Sequence, residues 1–492
     1  MSPDRDASGT GRRIYELLRA QMADGTLPAG ARVPSTRALA ADLGVSRTTV
    51  TSAYEQLAAE GFIVTAAGRA ARVASPPIAL AVSSPPRSNG SAPSLSAYGR
   101  RVSAIATPIL PRAGTGRIDF LYGALAARDF PVLLWRRAYQ AELLRQKDSL
   151  YYVAPEGDAS LRRALQSYVR RARGLVCDAE QILVVSGTQQ AIDLCARLLL
   201  DPGDAALFED PGYLIARDCF EAAGVRLLPA AVDEHGLDTR RLPRNSRARL
   251  VYVTPSHQFP LGGVLPIGRR LELLQWAQRH GAWVIEDDYD GEFRYGQRPI
   301  DALQSIDSNG RVIYVGTFSK ALSPHLRLGY LILPVELVPV FRQAKRLSDR
   351  HAPVLEQRVL ASLIDSGAYE RHVRRVRREY ERRRASLLDA IAHHLPAGAQ
   401  VTGTAAGLHV LLWLPFLRWE DERALVAAAN DHGVGVYPVS PLFAETRPSA
   451  QSRAAGLILG YASLTVDEIQ KGIRMLAAAI AEFRSERADH VT

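Results

Sequence analysis

The strongest constraint on the fold is a set of short β-branched runs, QILVVSG, RLVYVTP, AWVIEDDY and VIYVGTFS, spread through residues 114–484 and separated by helical patterns. Strands that alternate with helices are joined by crossovers, and crossovers leave neighbouring strands parallel. The expected class is therefore α/β, a doubly wound domain with a largely parallel sheet. From about residue 370 an arginine-rich helix opens a last portion of short strands and helices, expected as a smaller α/β subdomain.

At 492 residues the chain exceeds what one small core organises, so a second unit is expected. Residues 10–75 supply it as short, tightly punctuated helical patterns. Between the two lies 76–113, beginning PPIALAVSSPPRSNGSAPSLSAYGRR, whose Pro, Ser, Gly and Ala mark a flexible linker with a span of about 35 Å.

In the first unit, Ile14, Leu17, Leu18 and Met22 recur at helical spacing as one apolar stripe. Ser35 can cap a helix with Leu39 and Leu43 inward. Gly44 can end it, and Ser46 can cap another with Val50, Tyr54 and Leu57 inward. Two short helices so joined make a helix-turn-helix. Its second helix would present Ser46, Arg47, Thr48 and Thr49 at an exposed start, where hydroxyls, a guanidinium and free amides meet phosphates and base edges in a major groove.

A net charge of +10 permits a polyanionic partner without requiring one. With 47% hydrophobic and 23% charged residues, the chain is expected to be soluble. It has no long apolar run, and its start, MSPDRDASGTGRR, lacks the apolar core of an export signal. A cytoplasmic protein away from the membrane is expected. Cys177, Cys195 and Cys219 are odd in number and unclustered, His393 and His394 lack further ligand spacing, and no metal site is expected. The run RHVRRVRREYERRR at 371–384 is weighed as a phosphate contact and read as a solvated helix face.

The second unit carries four pieces of chemistry in a fixed order. Gly187, Thr188 and Gln189 lie where a strand turns into a helix, and first-turn amides there would hold a phosphate. Tyr213 follows a Pro-Gly turn, placed to stack on a ring. Asp287 and Tyr289 end a buried strand, where an acid could keep a pyridine nitrogen protonated and a phenol could reach a neighbouring oxygen. Lys320 ends another strand between hydroxyls. A lysine that forms a Schiff base needs a free amine, and Thr317, Ser319 and Arg327 beside it suit a phosphate dianion.

Two resemblances follow from these motifs. LPAGARVPSTRALAADLGVSRTTVTSAYEQLAAEG is similar to the winged helix-turn-helix of the GntR family, which implies DNA contacts at Arg37 and Arg47. In that family the wing follows. Here it reads TAAGRAARV, keeping Gly68 and offering Arg69 and Arg72. Residues 114–484 resemble fold type I, aspartate aminotransferase-like enzymes. The whole chain thus resembles the MocR/GabR family of chimeric regulators. The resemblance implies pyridoxal 5′-phosphate as cofactor, held by Lys320 with Asp287 at the ring nitrogen, Tyr289 at O3′ and Tyr213 stacked. Gly187, Thr188, Gln189, Thr317, Ser319 and Arg327 would grip the phosphate. It also implies a homodimer whose two heads read promoter half-sites on double-stranded DNA, under an amine effector or pyridoxal phosphate itself.

Two positions depart from the enzyme pattern. SHQFPLGG has Phe259 where aminotransferases carry an asparagine that touches O3′, leaving Tyr289, His257 or Gln258 to compensate. GLILGYASL has Ile458 where those enzymes place an arginine for the substrate carboxylate. Little or no turnover of ordinary α-amino acids is expected. The alternative is an active aminotransferase carrying an accessory DNA-binding head.

Overall fold

A computed structural model of the protein describes residues 4–66, 69–74, 94–105, 117–145, 151–296, 300–444 and 454–489. The chain divides into two compact units, Met1–Ser94 and Leu95–Thr492. Among the described residues, no helix is long and apolar enough to cross a membrane.

The first unit has helices Asp4–Ala23, Thr36–Asp42 and Arg47–Ala59, and an antiparallel strand pair, Ile63–Val64 with Arg72–Val73. Its core gathers Ile14, Tyr15, Leu18, Met22, Leu39, Val50, Tyr54, Leu57, Ile63 and Val73. Two residues expected inside are outside: Leu17 is 46% and Leu43 41% exposed. Ile14, Tyr15, Leu18 and Met22 share about 100° of helix circumference, and Leu17 falls beyond that arc. Leu43 is the residue that ends its helix, where the chain turns away through Gly44 at φ +63. Gly68 of the wing lies outside the described residues.

The second unit is built on eight strands in the order Ile182–Val185, Gly329–Ile332, Val312–Thr317, Trp283–Asp288, Ala248–Val253, Ala205–Asp210, Arg226–Asp233 and Gly236–Leu237. Only Gly329–Ile332 and the terminal Gly236–Leu237 run against their neighbours. Ile182 and Val184 feed one apolar cluster while Leu183 and Val185 feed another. Both faces of the sheet are thus covered, which is why these strands read as unbroken apolar runs. The parallel strands therefore deliver Ser186, Asp210, Val253, Asp288 and Thr317 to one edge, where open α/β sheets take their ligands.

The segment expected as linker contains a short helix, Ala97–Ala104, and its Arg101 Nε donates to the Ala222 carbonyl at 2.8 Å. The last portion has a four-stranded antiparallel sheet of Gln400–Thr402, His409–Arg418, Ala454–Gly460 and Tyr437–Pro438. The arginine-rich helix, Ala368–His394, is not solvated throughout. Arg374, Arg375 and Arg378 are exposed, but Arg383 is fully buried, its guanidinium on Asp129 at 2.7 Å.

Candidate functional site

The strand Trp283–Asp288 sorts its three acids by strand alternation. Glu286 faces one side and accepts the Leu303 and Gln304 amides at 2.7 and 2.9 Å. Asp288, on the same side, meets Arg173 at 2.6 Å and the Tyr314 hydroxyl at 2.5 Å. Asp287 points the other way. One of its oxygens accepts from the Tyr252 hydroxyl at 2.5 Å, and the other, Oδ1, is buried with no hydrogen-bond partner among the described residues. Burial pushes its carboxyl up to about 7 against the pull of the Tyr252 bond. A buried acid with one oxygen unsatisfied is suited to a cationic N–H.

Lys320 lies just beyond the strand Val312–Thr317 with its amine on the Gly123 carbonyl, 3.2 Å away. Burial lowers its pKa, while the charges of Asp290 and Asp287 act in the opposite sense. A desolvated amine of this kind is closer to the free base a nucleophile requires. Gly123 has φ +80, and a Cβ there would stand 2.9 Å from the lysine nitrogen, so the glycine keeps that approach open.

On the phosphate side, Gly329 pairs with Thr317 on one flank and Val185 on the other, so the two strand ends lie two strand spacings apart. Gly187 has φ +85 and precedes the helix Thr188–Leu199, whose first two amides, of Thr188 and Gln189, have no intrahelical acceptors. A Cβ at Gly187 would lie 2.9 Å from the Arg327 guanidinium, which donates to Ser186 O at 2.7 Å. The Thr317 hydroxyl donates to Ser319 Oγ at 3.0 Å, and the side-chain oxygen of Gln189, Oε1, is buried without a partner among the described residues. Two hydroxyls, a guanidinium and a helix start form an anion cradle.

Tyr213 packs edge-on to Phe259 at 5.9 Å, and burial pushes its phenol up to about 12. Its phenol feels the charges of both Asp287 and Arg327. Tyr289 is oriented by a pair that the sequence motifs did not assign: its hydroxyl is 3.0 Å from His257 Nδ1, and that nitrogen lies 2.8 Å from Asp290 Oδ2. Gln258 is fully engaged elsewhere, its amide nitrogen on Pro211 O and Phe259 O and its oxygen on the Leu261 amide. Of the groups that could stand in for an asparagine at 259, His257 and Tyr289 are together and Gln258 is turned away.

Asp287 gives a pH prediction for the cofactor-free protein. Its folded pKa lies above the unfolded value, so the folded state holds its proton longer, and the stability it contributes declines as pH rises from about 4 to about 7. Asp287→Asn keeps an acceptor for Tyr252 and removes the charge. The variant should gain thermal midpoint relative to the native chain as pH rises through that window, a difference that scanning calorimetry at pH 5 and pH 8 measures.

In the first unit the Ser46 hydroxyl accepts from the Thr49 amide at 3.2 Å and bonds the Thr48 and Thr49 hydroxyls at 2.8 and 2.7 Å. Ser46 therefore caps the helix, and the two threonine hydroxyls hold its side chain. Arg47 is exposed, 3.4 Å from the Thr36 hydroxyl, and Arg37 and Arg69 are also exposed. Arg72, also exposed, donates to the Gly30 carbonyl at 2.7 Å.

Comparison with known proteins gives a family for each unit. Residues 10–73 match the family profile of bacterial regulatory proteins, gntR family, and residues 123–453 that of aminotransferase class I and II. The probable rhizopine catabolism regulatory protein MocR of Rhizobium meliloti is 37% identical over 99% of this chain and 97% of its own. The HTH-type pyridoxine biosynthesis transcriptional regulator PdxR of Corynebacterium glutamicum is 30% identical over 95% of each. Among solved structures, the α-aminoadipate aminotransferase LysN of Thermus thermophilus, complexed with N-(5′-phosphopyridoxyl)-L-leucine, superposes with a TM-score of 0.67. It is 31% identical, over 75% of this chain and 93% of that one.

Proposed function

The chain belongs to the MocR/GabR family of HTH-type transcriptional regulators, a GntR head joined to an aminotransferase-like body, and from that premise we propose that it senses an amine through pyridoxal 5′-phosphate held at Lys320. The observations that carry this reading are the part-buried Lys320 amine, which feels the charge of Asp287, the unsatisfied oxygen of Asp287, and the cradle where Gly187 meets Arg327. An aminotransferase class I and II fold implies that cofactor, and the residues present fit it.

When bound, the cofactor supplies an aldehyde that exchanges reversibly among primary amines. This chain's residues do the rest. Asp287 Oδ1 accepts the ring N–H and holds the proton there, with Tyr252 fixing the carboxylate. Tyr289, aligned by His257 and Asp290, donates toward the ring oxygen. Thr317, Ser319, Arg327 and the amides after Gly187 hold the dianion. Tyr213 covers the ring and excludes water. In the proposed assembly, two copies pair and set the spacing of two heads on operator half-sites. A coupling of about 1–3 kcal/mol between effector and DNA changes operator affinity five- to hundredfold.

The experiment follows cofactor absorbance and anisotropy of labelled promoter DNA together while candidate amines and free pyridoxal phosphate are added. Operator affinity should shift with the spectrum. Arg47→Ala should cost about 1–3 kcal/mol of discrimination against a scrambled operator and leave the spectrum unchanged. Operator affinity indifferent to both cofactor and amines would refute sensing. Steady amino-donor turnover with the same indifference would favour an enzyme with an accessory head.

A further inference from the structure

An aromatic cluster begins one residue from the carbonyl that the Lys320 amine touches. Gly123, whose carbonyl the amine touches, follows Tyr122, and the Tyr122 ring lies 6.0 Å from Phe259 and 5.7 Å from Tyr437. Phe259 in turn meets Tyr213 and Tyr289 edge-on at 5.9 and 6.0 Å. Ile458 is fully buried in the same cluster with Leu411 and Val439, and partly buried Tyr122, Tyr213 and Tyr289 pack against that cluster. Its place is fixed by the small sheet, where it pairs with Leu411 on one side and Tyr437 on the other. The Tyr437 hydroxyl is spent on Asp119 at 2.7 Å. Arg327 belongs to the cradle.

A carboxylate carried on the same carbon as an amine near Lys320 would be pressed against aromatic edges and branched alkyl groups. Stripping it of water without returning hydrogen bonds is costly, whereas an apolar body loses nothing polar and gains burial. We propose that the effector is a primary amine with an apolar body and no carboxylate on its amine-bearing carbon, and that the cluster built on Ile458 and Phe259 sets this preference. The inference rests on the amine-sensing reading above.

The test uses the full chain loaded with pyridoxal phosphate and two probes with the same phenyl body, 2-phenylethylamine and L-phenylalanine. Each is titrated against the cofactor's visible spectrum. The half-saturating concentration of phenylethylamine should be at least tenfold lower than that of phenylalanine. In Ile458→Arg, which offers the carboxylate a bidentate partner, the ratio should fall at least tenfold. The native-chain comparison decides the matter even if that variant does not fold, and Ile458→Gln gives a milder second donor with a smaller shift in the same direction. A loaded chain that prefers phenylalanine, or that responds to neither probe, overturns this inference alone. A chain that acquires no cofactor absorbance overturns the amine-sensing reading beneath it.

Discussion

Lys320→Ala is expected to leave the body folded and to abolish retention of pyridoxal phosphate, lowering its affinity at least a hundredfold, or about 2.7 kcal/mol. The lysine sits in the turn after its strand, and among the described residues its amine makes one hydrogen bond, to the Gly123 carbonyl. Removing a desolvated amine costs little stability, since its burial already disfavours the charged form. What disappears is the covalent anchor. The remaining contacts, the cradle at Gly187 and Arg327 and the acceptor at Asp287, would then have to hold the molecule by themselves. Three readouts check this: visible absorbance after gel filtration, the mass of the borohydride-reduced protein, and the amine dependence of operator binding, all of which should be lost together. The chain contains four lysines, Lys147, Lys320, Lys345 and Lys471, so a surviving adduct has few places to be. Lys345 is fully buried and paired with Asp349 at 2.5 Å. An adduct that persists in the variant would move the anchor and refute the site.

The composition itself carried part of this. Of 61 basic residues only four are lysine, so a lysine between Thr317, Ser319 and Arg327 is conspicuous in a chain that otherwise uses arginine. The strands were legible because they are buried on both faces and read as continuous apolar runs. The ends of those strands were legible too, because ligand-facing residues follow the last apolar position. Partners contributed across the sheet were not. Tyr252 lies one strand from Asp287 and 35 residues away, and nothing local to either announces the bond. The same holds for His257 with Asp290, which come from two different strand ends. Leu17 failed for a different reason. Spacing identifies a stripe, but which arc faces inward is fixed by the neighbouring helices, and Tyr15 wins the buried place in the first helix.

Arg173 was silent in the sequence as well, one arginine at the end of the helix Ala159–Arg173, and its removal should produce the largest loss of stability among single changes near the site. Its guanidinium is 3% exposed. It donates to Asp288 Oδ2 at 2.6 Å, to Ile300 O at 2.6 Å and to Ser256 Oγ at 2.7 Å. Replacing a buried, paired cation by an apolar side chain of similar length leaves the acid without its counter-charge, and such losses cost about 3–5 kcal/mol. Arg173→Met is therefore expected to lower the thermal midpoint of the body sharply. The same change reaches the cofactor acceptor, because Asp288 already raises Asp287 through space and would do so more strongly once unpaired. Asp288→Asn in the Arg173→Met background removes the stranded charge while leaving an acceptor for Tyr314, so the double variant should recover more than half of the loss. A double-mutant cycle read by calorimetry isolates the pair from the lost contacts to Ile300 and Ser256. If Arg173→Met alone is as stable as the native chain, or if Asp288→Asn restores nothing, the buried pair does not hold this strand end in place. The alignment of Asp287 would then have to come from Tyr252 alone.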